Sequence, residues 1–263
     1  MLDNITLGQY LPGHSFLHRM DPRAKILLTV LMIAAVFTAG GFIGYALLFA
    51  FVGAVTYFSK ISIKFVLKGL KPILYIIVLT FFINLLFNAG TTVLWRWGIL
   101  RITQEGLRTA VLMSLRLTLL VFTTQLLTLT TSPIALTDGL ERLLKPLSKI
   151  GFPAHELAMM MSIALRFIPT LMEETDKIMK AQMARGADFE SGNLINRAKA
   201  MLPLLVPLFV SAFRRADELA MAMEARCYRG GEKRTRMKIL KFTKLDGIAS
   251  LAVCALLVLT IIF

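Results

Sequence analysis

Two arginines, each at the end of a long amphipathic stretch, are the residues best suited to binding a partner. Arg185 and Arg226 each follow an alanine, in the only two Ala-Arg dipeptides of the chain. Residues 166–186 align with residues 207–227 at a spacing of 41 positions. The matched pairs include Asp176 with Asp217, Ala181 with Ala222, Ala184 with Ala225 and Arg185 with Arg226. This duplication predicts two equivalent docking ends, for two copies of one partner or for two similar partners.

The chemistry expected at each end is recognition of a carboxylate. A helix C-terminus carries a partial negative charge that stabilises an arginine, and the planar guanidinium binds a carboxylate through two parallel hydrogen bonds. The small alanine lets the helix end enter a groove. The docking triplets are Ala184-Arg185-Gly186 and Ala225-Arg226-Cys227. In the alternative interpretation each arginine only caps its own helix or binds lipid phosphate, and the duplication favours docking.

Opposite charges occupy equivalent positions of the two amphipathic stretches. Glu173 and Glu174 lie in the first stretch, and Arg214 and Arg215 lie in the second. We infer that the two helices cross at this height and that the two pairs contact each other. In the alternative, both pairs face water, where an ion pair contributes only about 0–1 kcal/mol.

The elements that position these residues combine membrane spans with amphipathic helices. Hydrophobic residues make up 56% of the 263 residues, and the mean hydropathy is +0.69, which is typical of a membrane protein. One helical crossing needs about 20 mostly apolar residues. The sequence therefore predicts an all-α integral membrane protein with five transmembrane helices. Their approximate ranges are 26–41, 42–59, 73–90, 109–131 and 246–263.

Lysine and arginine residues indicate how these crossings are oriented. Arg19, Arg23 and Lys25 precede the first crossing, and 19 of the 30 Lys and Arg residues fall within 132–245. We expect an N-terminal membrane domain at 1–131 with its N-terminus inside, a cytoplasmic domain at 132–245 and a C-terminal membrane helix at 246–263. The cysteines, Cys227 and Cys254, then lie in different environments and are expected to be free thiols.

Within 132–245, apolar residues recur at helical spacing instead of in continuous runs. This pattern predicts three amphipathic helices, at about 133–149, 153–185 and 196–226. Their charges forbid the second and third from crossing the membrane. Pro203 and Pro207 are expected to bend or break the early part of the third helix, and Pro169 is expected to bend the second. The apolar stripe of the third helix consists of Leu202, Val206, Phe209, Phe213, Ala216, Leu219 and Met223.

Motifs for catalysis, metal binding and nucleic-acid binding are not recognisable in the sequence. No Gly-rich phosphate loop or hydrolase triad is present, so we expect a non-catalytic chain that does not hydrolyse ATP. His14 and His18 have the spacing of a metal pair but lack a third ligand, and His155 stands alone, so no metal site and no cofactor are expected. The net charge of +14 comes without a groove-reading motif, which argues against nucleic acid.

One charged residue, Arg116, is predicted inside the fourth crossing. A charge at this depth is functional by default in a membrane protein. Alternatively, its side chain snorkels to the membrane surface or donates to a carbonyl within the bundle. The sequence leaves these alternatives open.

The chain resembles the transmembrane T component of energy-coupling factor (ECF) transporters, which are importers of vitamins and metal ions related to ABC transporters. The resemblance covers nearly the whole chain and rests on residues 17–25 together with the two arginine triplets. The motif residues of that first stretch are Asp21, Pro22, Arg23 and Lys25. Cys227 departs from the glycine of the first triplet, at a place where the family varies.

This resemblance implies a coupling subunit of an ECF-type ABC importer, multi-pass in the cell membrane. The two triplets would dock into grooves on two ATPase subunits, and the membrane helices would hold a separate substrate-binding S component. ATP binding and hydrolysis in the ATPases would change the spacing of the grooves. The amphipathic helices of the cytoplasmic domain, which we call the coupling helices, would pass that displacement to the S component. The S component would then release a vitamin or other micronutrient inward.

A methionine-rich surface is our hypothesis for the contact with interchangeable S components. Flexible thioether side chains suit a surface that repacks against different shapes. The residues assigned to it are Met159, Met160, Met161, Met172 and Met179. The alternative is a plastic core between two helices.

Two other functions remain open at this stage. The first is a T component dedicated to one metal ion, as in the cobalt or nickel members of the family. The second is a membrane scaffold whose basic helices bind lipid headgroups. The resemblance also implies that a different polypeptide binds the transported substrate, so no residue of this chain is expected to encode it.

Overall fold

A computed structural model of the chain describes residues 10–88, 92–97, 100–187, 189, 194–230 and 240–262, with side chains left out for 93–101 and 194–200. Parts of the predicted ranges, at 1–9, 89–91, 98–99, 188, 190–193, 231–239 and 263, lie outside these residues. The helices are α1 Phe16–Arg19, α2 Pro22–Thr38, α3 Phe42–Phe58, α4 Ile63–Phe87, α5 Gln104–Thr130, α6 Pro133–Leu144, α7 Ala154–Ala184, α8 Leu194–Ala225 and α9 Lys244–Ile262. A 3-10 helix, Lys145–Ile150, follows α6. The predicted all-α fold is confirmed.

A short hairpin between α4 and α5 is the only sheet among the described residues, and the sequence analysis missed it. Strands β1 (Val93–Trp97) and β2 (Leu100–Thr103) pair antiparallel. The register places Trp97 opposite Leu100 and Val93 opposite Thr103, with an irregularity between Val93 and Trp95. Tryptophan, valine and isoleucine favour extended backbone, and this enrichment was the available signal.

Three helices of the described chain, α4, α5 and α9, are long and apolar enough to cross a membrane. The first two predicted crossings correspond to α2 and α3, which have 17 residues each. The third differs at its start, because α4 begins at Ile63 and includes Lys64, Lys68 and Lys71. These lysines recur at helical spacing, so the helix continues through the basic segment that we had placed between two crossings.

Capping side chains set where two of these helices begin. The Asp21 carboxylate accepts a hydrogen bond from the backbone N–H of Arg23 at 2.9 Å, and Pro22 occupies the first position of α2. Both features favour a helix start at this point. At α5, the Thr103 hydroxyl accepts from the Gly106 N–H at 3.1 Å. Local sequence therefore determines both starts.

The described residues divide into two compact units. The first, which we name the membrane unit, contains residues 10–139 and 240–262. Its core lies between α2, α3, α5 and α9, where Val36, Tyr45, Leu48 and Leu119 are almost fully buried. Helix α4 packs along α5 and leaves most of its own apolar side chains exposed.

The second unit contains residues 140–230, and we name it the α7–α8 unit after the two long helices that pack against each other. Pro169 lies inside α7, and Pro203 and Pro207 lie inside α8. Of the two expected outcomes, a break does not occur, because both helices continue through these prolines. A proline removes one backbone donor, and the remaining hydrogen bonds of a helix of 31 or 32 residues hold its flanking turns.

Candidate functional site

The first predicted docking end is the C-terminus of α7, which closes in a Schellman motif. The N–H of Gly186 donates to the Met183 carbonyl at 3.0 Å, and the N–H of Ala187 donates to the Gln182 carbonyl at 3.0 Å. Gly186 adopts the left-handed conformation that this motif requires, with φ of 89°. Ala184, Arg185 and Gly186 are all exposed. The Arg185 side chain therefore leaves the helix at an end that is open to a partner.

The second predicted docking end, at the C-terminus of α8, repeats the same hydrogen-bond pattern. The N–H of Cys227 donates to the Glu224 carbonyl at 2.8 Å, and the N–H of Tyr228 donates to the Met223 carbonyl at 3.0 Å. Ala225, Arg226 and Cys227 are exposed. Every donor and acceptor of this motif lies 41 positions after its counterpart in α7. The duplication seen in the sequence is thus a duplication of local structure at the two ends.

The two ends differ in the residue that adopts the left-handed conformation. Cys227 has φ of 54°, whereas the equivalent position of α7 is a glycine. A side chain in this region costs about 1–2 kcal/mol because the Cβ atom approaches a carbonyl oxygen. The second end therefore keeps its shape in spite of local backbone strain. Cys227 and Cys254 are both free thiols, as predicted.

A charged contact joins α7 and α8 at matching positions. Arg215 Nη2 lies 2.8 Å from Glu174 Oε2, and the Ser211 hydroxyl donates to Glu174 Oε1 at 2.7 Å. The hydrogen bonds from Ser211 and then from Arg215 lower the pKa of the Glu174 carboxyl from its usual value. Glu174 and Arg215 are half-buried, so the carboxylate is held ionised beside its partners.

The neighbours of this pair do not share its surroundings. Glu173 and Arg214 are exposed, because consecutive helical residues point about 100° apart and only one member of each pair faces the other helix. The sequence analysis also missed Ser211. Its position four residues before Arg215 places it on the same face of α8, and that spacing was the available signal.

Four large residues of the predicted apolar stripe lie on the side of α8 opposite to this contact, and we name these four the α8 stripe; Leu219 and Met223, farther along, are half-buried. Leu202, Val206, Phe209 and Phe213 are between 57% and 69% exposed. Ser211 and Arg215 lie about half a turn away from the stripe, by the helical period. The stripe therefore does not pack against α7, and it leaves a continuous apolar surface uncovered by the described part of this chain.

The five candidate methionines of α7 do not all share one face. Met159, Met160 and Met161 are consecutive and point in different directions. Met161, Met172 and Met179 are separated by close to whole numbers of turns and do share a face. Met160 and Met161 are about half exposed, at 54% and 46%. The candidate surface is therefore narrower than the sequence suggested.

Two of the three histidines, His18 and His155, hold local structure. His18 bonds the Ser15 hydroxyl at 2.7 Å and the Leu11 carbonyl at 3.0 Å through its two ring nitrogens. His155 Nδ1 lies 2.9 Å from Glu141 Oε1 and joins the start of α7 to α6. Among the described residues, no group of three or more His, Cys, Asp or Glu side chains could hold a metal ion.

Arg116, predicted inside a crossing, has partners within the membrane unit. Its Nε donates to the Tyr45 hydroxyl at 2.9 Å, and its guanidinium lies 5.5 Å from the ring centroid of Phe37. The Tyr45 hydroxyl in turn lies 3.4 Å from the Val36 carbonyl. A tyrosine hydroxyl, and not a backbone carbonyl, therefore accepts the hydrogen bond from the Nε of this half-buried cation.

The N-terminal motif residues lie in a buried polar cluster of the membrane unit. Asp21 forms an ion pair with Arg23 at 2.8 Å, and its backbone N–H donates to Asp246 Oδ1 at 3.0 Å. Lys25 Nζ donates to the Thr130 carbonyl at 3.0 Å and to the Thr131 hydroxyl at 3.1 Å. Pro22 begins α2. The cluster joins residues 225 positions apart, a pairing that the sequence analysis did not foresee.

Comparison with known proteins relates the chain to a family of transporters. A family model described as cobalt transport protein (CbiQ) matches residues 13–237. The chain is 59% identical over 250 residues to the energy-coupling factor transporter transmembrane protein EcfT of Ruminiclostridium cellulolyticum, covering 95% of this chain and 93% of the relative. It is 61% identical over 248 residues to the EcfT of Thermosediminibacter oceani, covering 94% and 93%. It is 51% identical over 259 residues to the EcfT of Bacillus subtilis, covering 98% of each.

Proposed function

We propose, from the premise that this chain belongs to the family of energy-coupling factor transporter transmembrane proteins, that it couples two ABC-type ATPase subunits to a membrane-embedded S component. In this role the chain binds no nucleotide and catalyses no reaction. It transmits the displacement produced by ATP binding and hydrolysis. The predicted resemblance to the family is confirmed, and the partners are our proposal.

The observation that carries this proposal is the repeated helix end. Arg185 and Arg226 are exposed at the ends of two helices that close with the same hydrogen bonds. Two equal partners need two equal docking elements, and two ATPase subunits of similar fold meet that condition. A guanidinium in a groove recognises a carboxylate through paired hydrogen bonds, which lysine cannot reproduce.

The contact between α7 and α8 supports a mechanical role for these helices. Glu174 lies as many residues before Arg185 as Arg215 lies before Arg226. At 1.5 Å per residue each end is about 16 Å from the contact. Displacement at either end therefore acts on the contact through an arm of similar length, which suits partners that move together.

The uncovered stripe of α8 supports binding of a second membrane protein. Four large apolar residues in one row are an exposed patch of the kind that marks an interaction surface. We assign the S component to this stripe and to the methionine face of α7 (Met161, Met172 and Met179). Cytoplasmic placement of the α7–α8 unit and of the N-terminus is part of the proposal and follows from the excess of lysine and arginine there.

Co-purification tests the proposed partners. Tagged chain extracted in mild detergent from its native cells is expected to bring down two ABC-type ATPase chains. The double variant Arg185→Glu, Arg226→Glu should lose both, because the reversed charges repel the carboxylates of the grooves. Arg166→Glu, a reversal at an exposed arginine of α7 away from the end, is the matched control. Retention of both ATPases by the double variant would refute docking through these ends.

A second experiment separates an S component from lipid as the occupant of the α8 stripe. Phe209→Asn with Phe213→Asn should release the S component while both ATPases remain bound. Met221→Asn, at an exposed apolar residue on another face of α8, is the control. If the variant keeps its S component but binds less to anionic vesicles, the stripe belongs to the lipid surface and the scaffold function is favoured.

The substrate class has two candidates. Relatives in this family bear the general energy-coupling factor name, which favours a T component shared among vitamin-binding S components. The description of the matching family model as cobalt transport protein favours one dedicated to a metal ion. Identification of the co-purified S components, and uptake of vitamins compared with Co²⁺ and Ni²⁺ in reconstituted vesicles, decides between them.

A further inference from the structure

The chain passes between the membrane unit and the α7–α8 unit at two places. The outgoing connection follows α5 and consists of Thr131, Ser132 and the part of α6 up to Gly139, and the returning connection enters the membrane unit again before α9. Any displacement of the α7–α8 unit reaches the membrane helices along the backbone through these two connections. How firmly they are held inside the membrane unit therefore affects how much of a displacement arrives.

The start of α2 holds the outgoing connection. Lys25 is buried, and its ammonium donates to the carbonyl of Thr130, the last residue of α5, and to the hydroxyl of Thr131. A carbonyl at a helix C-terminus lacks an intrahelical donor, so the lysine supplies one and adds a favourable interaction with the helix dipole. Pro22 also packs against Gly139 so closely that a Cβ atom there would lie 3.1 Å from the Pro22 Cβ.

The same turn of α2 holds the returning connection. Arg23 Nη2 lies 3.3 Å from the Leu240 carbonyl, and the guanidinium lies 4.2 Å from the ring centroid of Phe242. The carboxylate of Asp246, which is 2% exposed, accepts from the Asp21 N–H at one oxygen. Its other oxygen accepts from the N–H and the hydroxyl of Thr243, at 2.7 and 2.9 Å.

We propose that Asp21, Arg23 and Lys25 form a clamp that holds both connections. Displacement of α7 and α8 then moves the membrane helices instead of only deforming the connections. These are positioning residues, and the inference rests on the proposed coupling function. Residues 21–25, at the start of α2, contact both connections. The two connections therefore move together with α2. Leaving a buried charge without its partner is costly, and this cost resists the separation of either connection from the clamp.

Hydrogen exchange on the purified full chain tests whether the clamp holds the connections. Thr131→Val removes the hydroxyl that accepts from Lys25, and Thr243→Val removes the hydroxyl that donates to Asp246. Both substitutions keep the side-chain shape. We expect amide exchange to rise about fivefold at 132–139 in the first variant and at 241–246 in the second, as the loss of about one hydrogen bond predicts. Thr124→Val is the control, because the Thr124 hydroxyl is exposed and donates to the Leu120 carbonyl of its own helix.

The assembled transporter in vesicles tests whether the clamp matters for coupling. In Lys25→Met and Arg23→Lys variants, substrate imported per ATP hydrolysed should fall about fivefold or more, which is a typical size of a coupling effect. The amounts of bound ATPase and S component should stay unchanged. Lys64→Met, at an exposed lysine near the start of α4, is the matched control.

The outcomes separate the clamp from the proposed function. Faster exchange in the connections together with a lower import per ATP supports the clamp. Unchanged exchange in both threonine variants overturns it, and so does unchanged import per ATP in variants whose connections exchange faster. A wild-type chain that binds no ATPase contradicts the coupling function, whereas the exchange experiment still decides whether the start of α2 holds the two connections.

Discussion

Glu174 of α7 pairs with Arg215 of α8 at 2.8 Å, and the two residues occupy the same position of the duplicated segments, 41 residues apart. A contact between equivalent positions of two related helices places the crossing at the same distance from both helix ends. The two arginine ends are thereby presented symmetrically about one ion pair.

Reversing the charges of this pair should first break and then restore the crossing. Glu174→Arg and Arg215→Glu should each lower ATP-driven import severalfold, because each places like charges in contact. The double variant should recover most of the loss, as a double-mutant cycle of import rates will measure. Glu173→Arg with Arg214→Glu, at the exposed neighbours, provides the matched control. Independent, additive effects at positions 174 and 215 would contradict a functional contact.

Acid should weaken the same contact. The pKa of Glu174 is lowered in the folded chain, so the pair stabilises the structure above the ordinary pKa of a glutamate. That stabilisation is lost as the pH falls through the lowered value. Ser211→Ala removes the hydroxyl that contributes most to lowering the pKa of Glu174. In this variant the stabilisation should therefore be lost at a higher pH. Distances between spin labels on α7 and α8 during an acid titration measure this loss. Ser162→Ala, which removes a serine hydroxyl of α7 far from Glu174, is the control. If the midpoint pH of the distance change is the same in Ser211→Ala as in the wild type, Ser211 does not lower the pKa of Glu174.

Cys227→Gly should stabilise the second docking end. A residue with φ of 54° is strained unless it is glycine, so the substitution should gain about 1 kcal/mol. Gly186→Ala should lose a similar amount, because its φ is 89°. Thermal unfolding of the purified chain measures both changes. Equal melting of the wild type and Cys227→Gly would show that the end relaxes in solution.

Tyr45→Phe should destabilise the membrane unit. The variant removes the hydroxyl that accepts from Arg116 Nε and leaves a cation inside the bundle without that partner, at a cost of about 1.5–3 kcal/mol. Tyr57→Phe changes an 81% exposed tyrosine of the same helix and should have little effect. Thermal stability in detergent distinguishes the two variants. Should both melt alike, the hydrogen bond of Arg116 contributes nothing to stability.

Gly69→Ala should disturb the packing of α4 on α5. A Cβ atom at Gly69 would overlap the side-chain amide of Gln125, so the flexible Gln125 side chain has to leave its preferred rotamer, at a cost of about 0.5–1.5 kcal/mol. Gln125→Ala in the same chain should remove the overlap and restore stability. Gly53→Ala, where nothing lies within 4 Å of a Cβ atom, is the control. A Gly69→Ala chain as stable as Gly53→Ala would mean that Gln125 moves aside freely.

Much of the architecture was predictable because it depends on local sequence. Apolar runs predicted a helical membrane protein, and the repeated Ala-Arg element with the stretch around Asp21 and Pro22 indicated the family. The end of α7 followed the same logic, since Gly186 stops that helix through the φ value it allows. The hairpin at β1 and β2 escaped prediction because short strands carry a weaker pattern than long helices.

The sequence by itself determined the helical elements, the family, and the duplication of the arginine ends, because each depends on residues within a few turns of one another. Only the tertiary structure decided that Glu174, and not Glu173, bonds to Arg215 of α8. It also decided that the Tyr45 hydroxyl accepts a hydrogen bond from Arg116 and that the Asp246 carboxylate accepts one from the Asp21 N–H. Such pairings depend on which faces turn toward each other when helices pack. The shape and charge of the whole bundle determine which faces pack together, and the periodicity of one segment does not predict it.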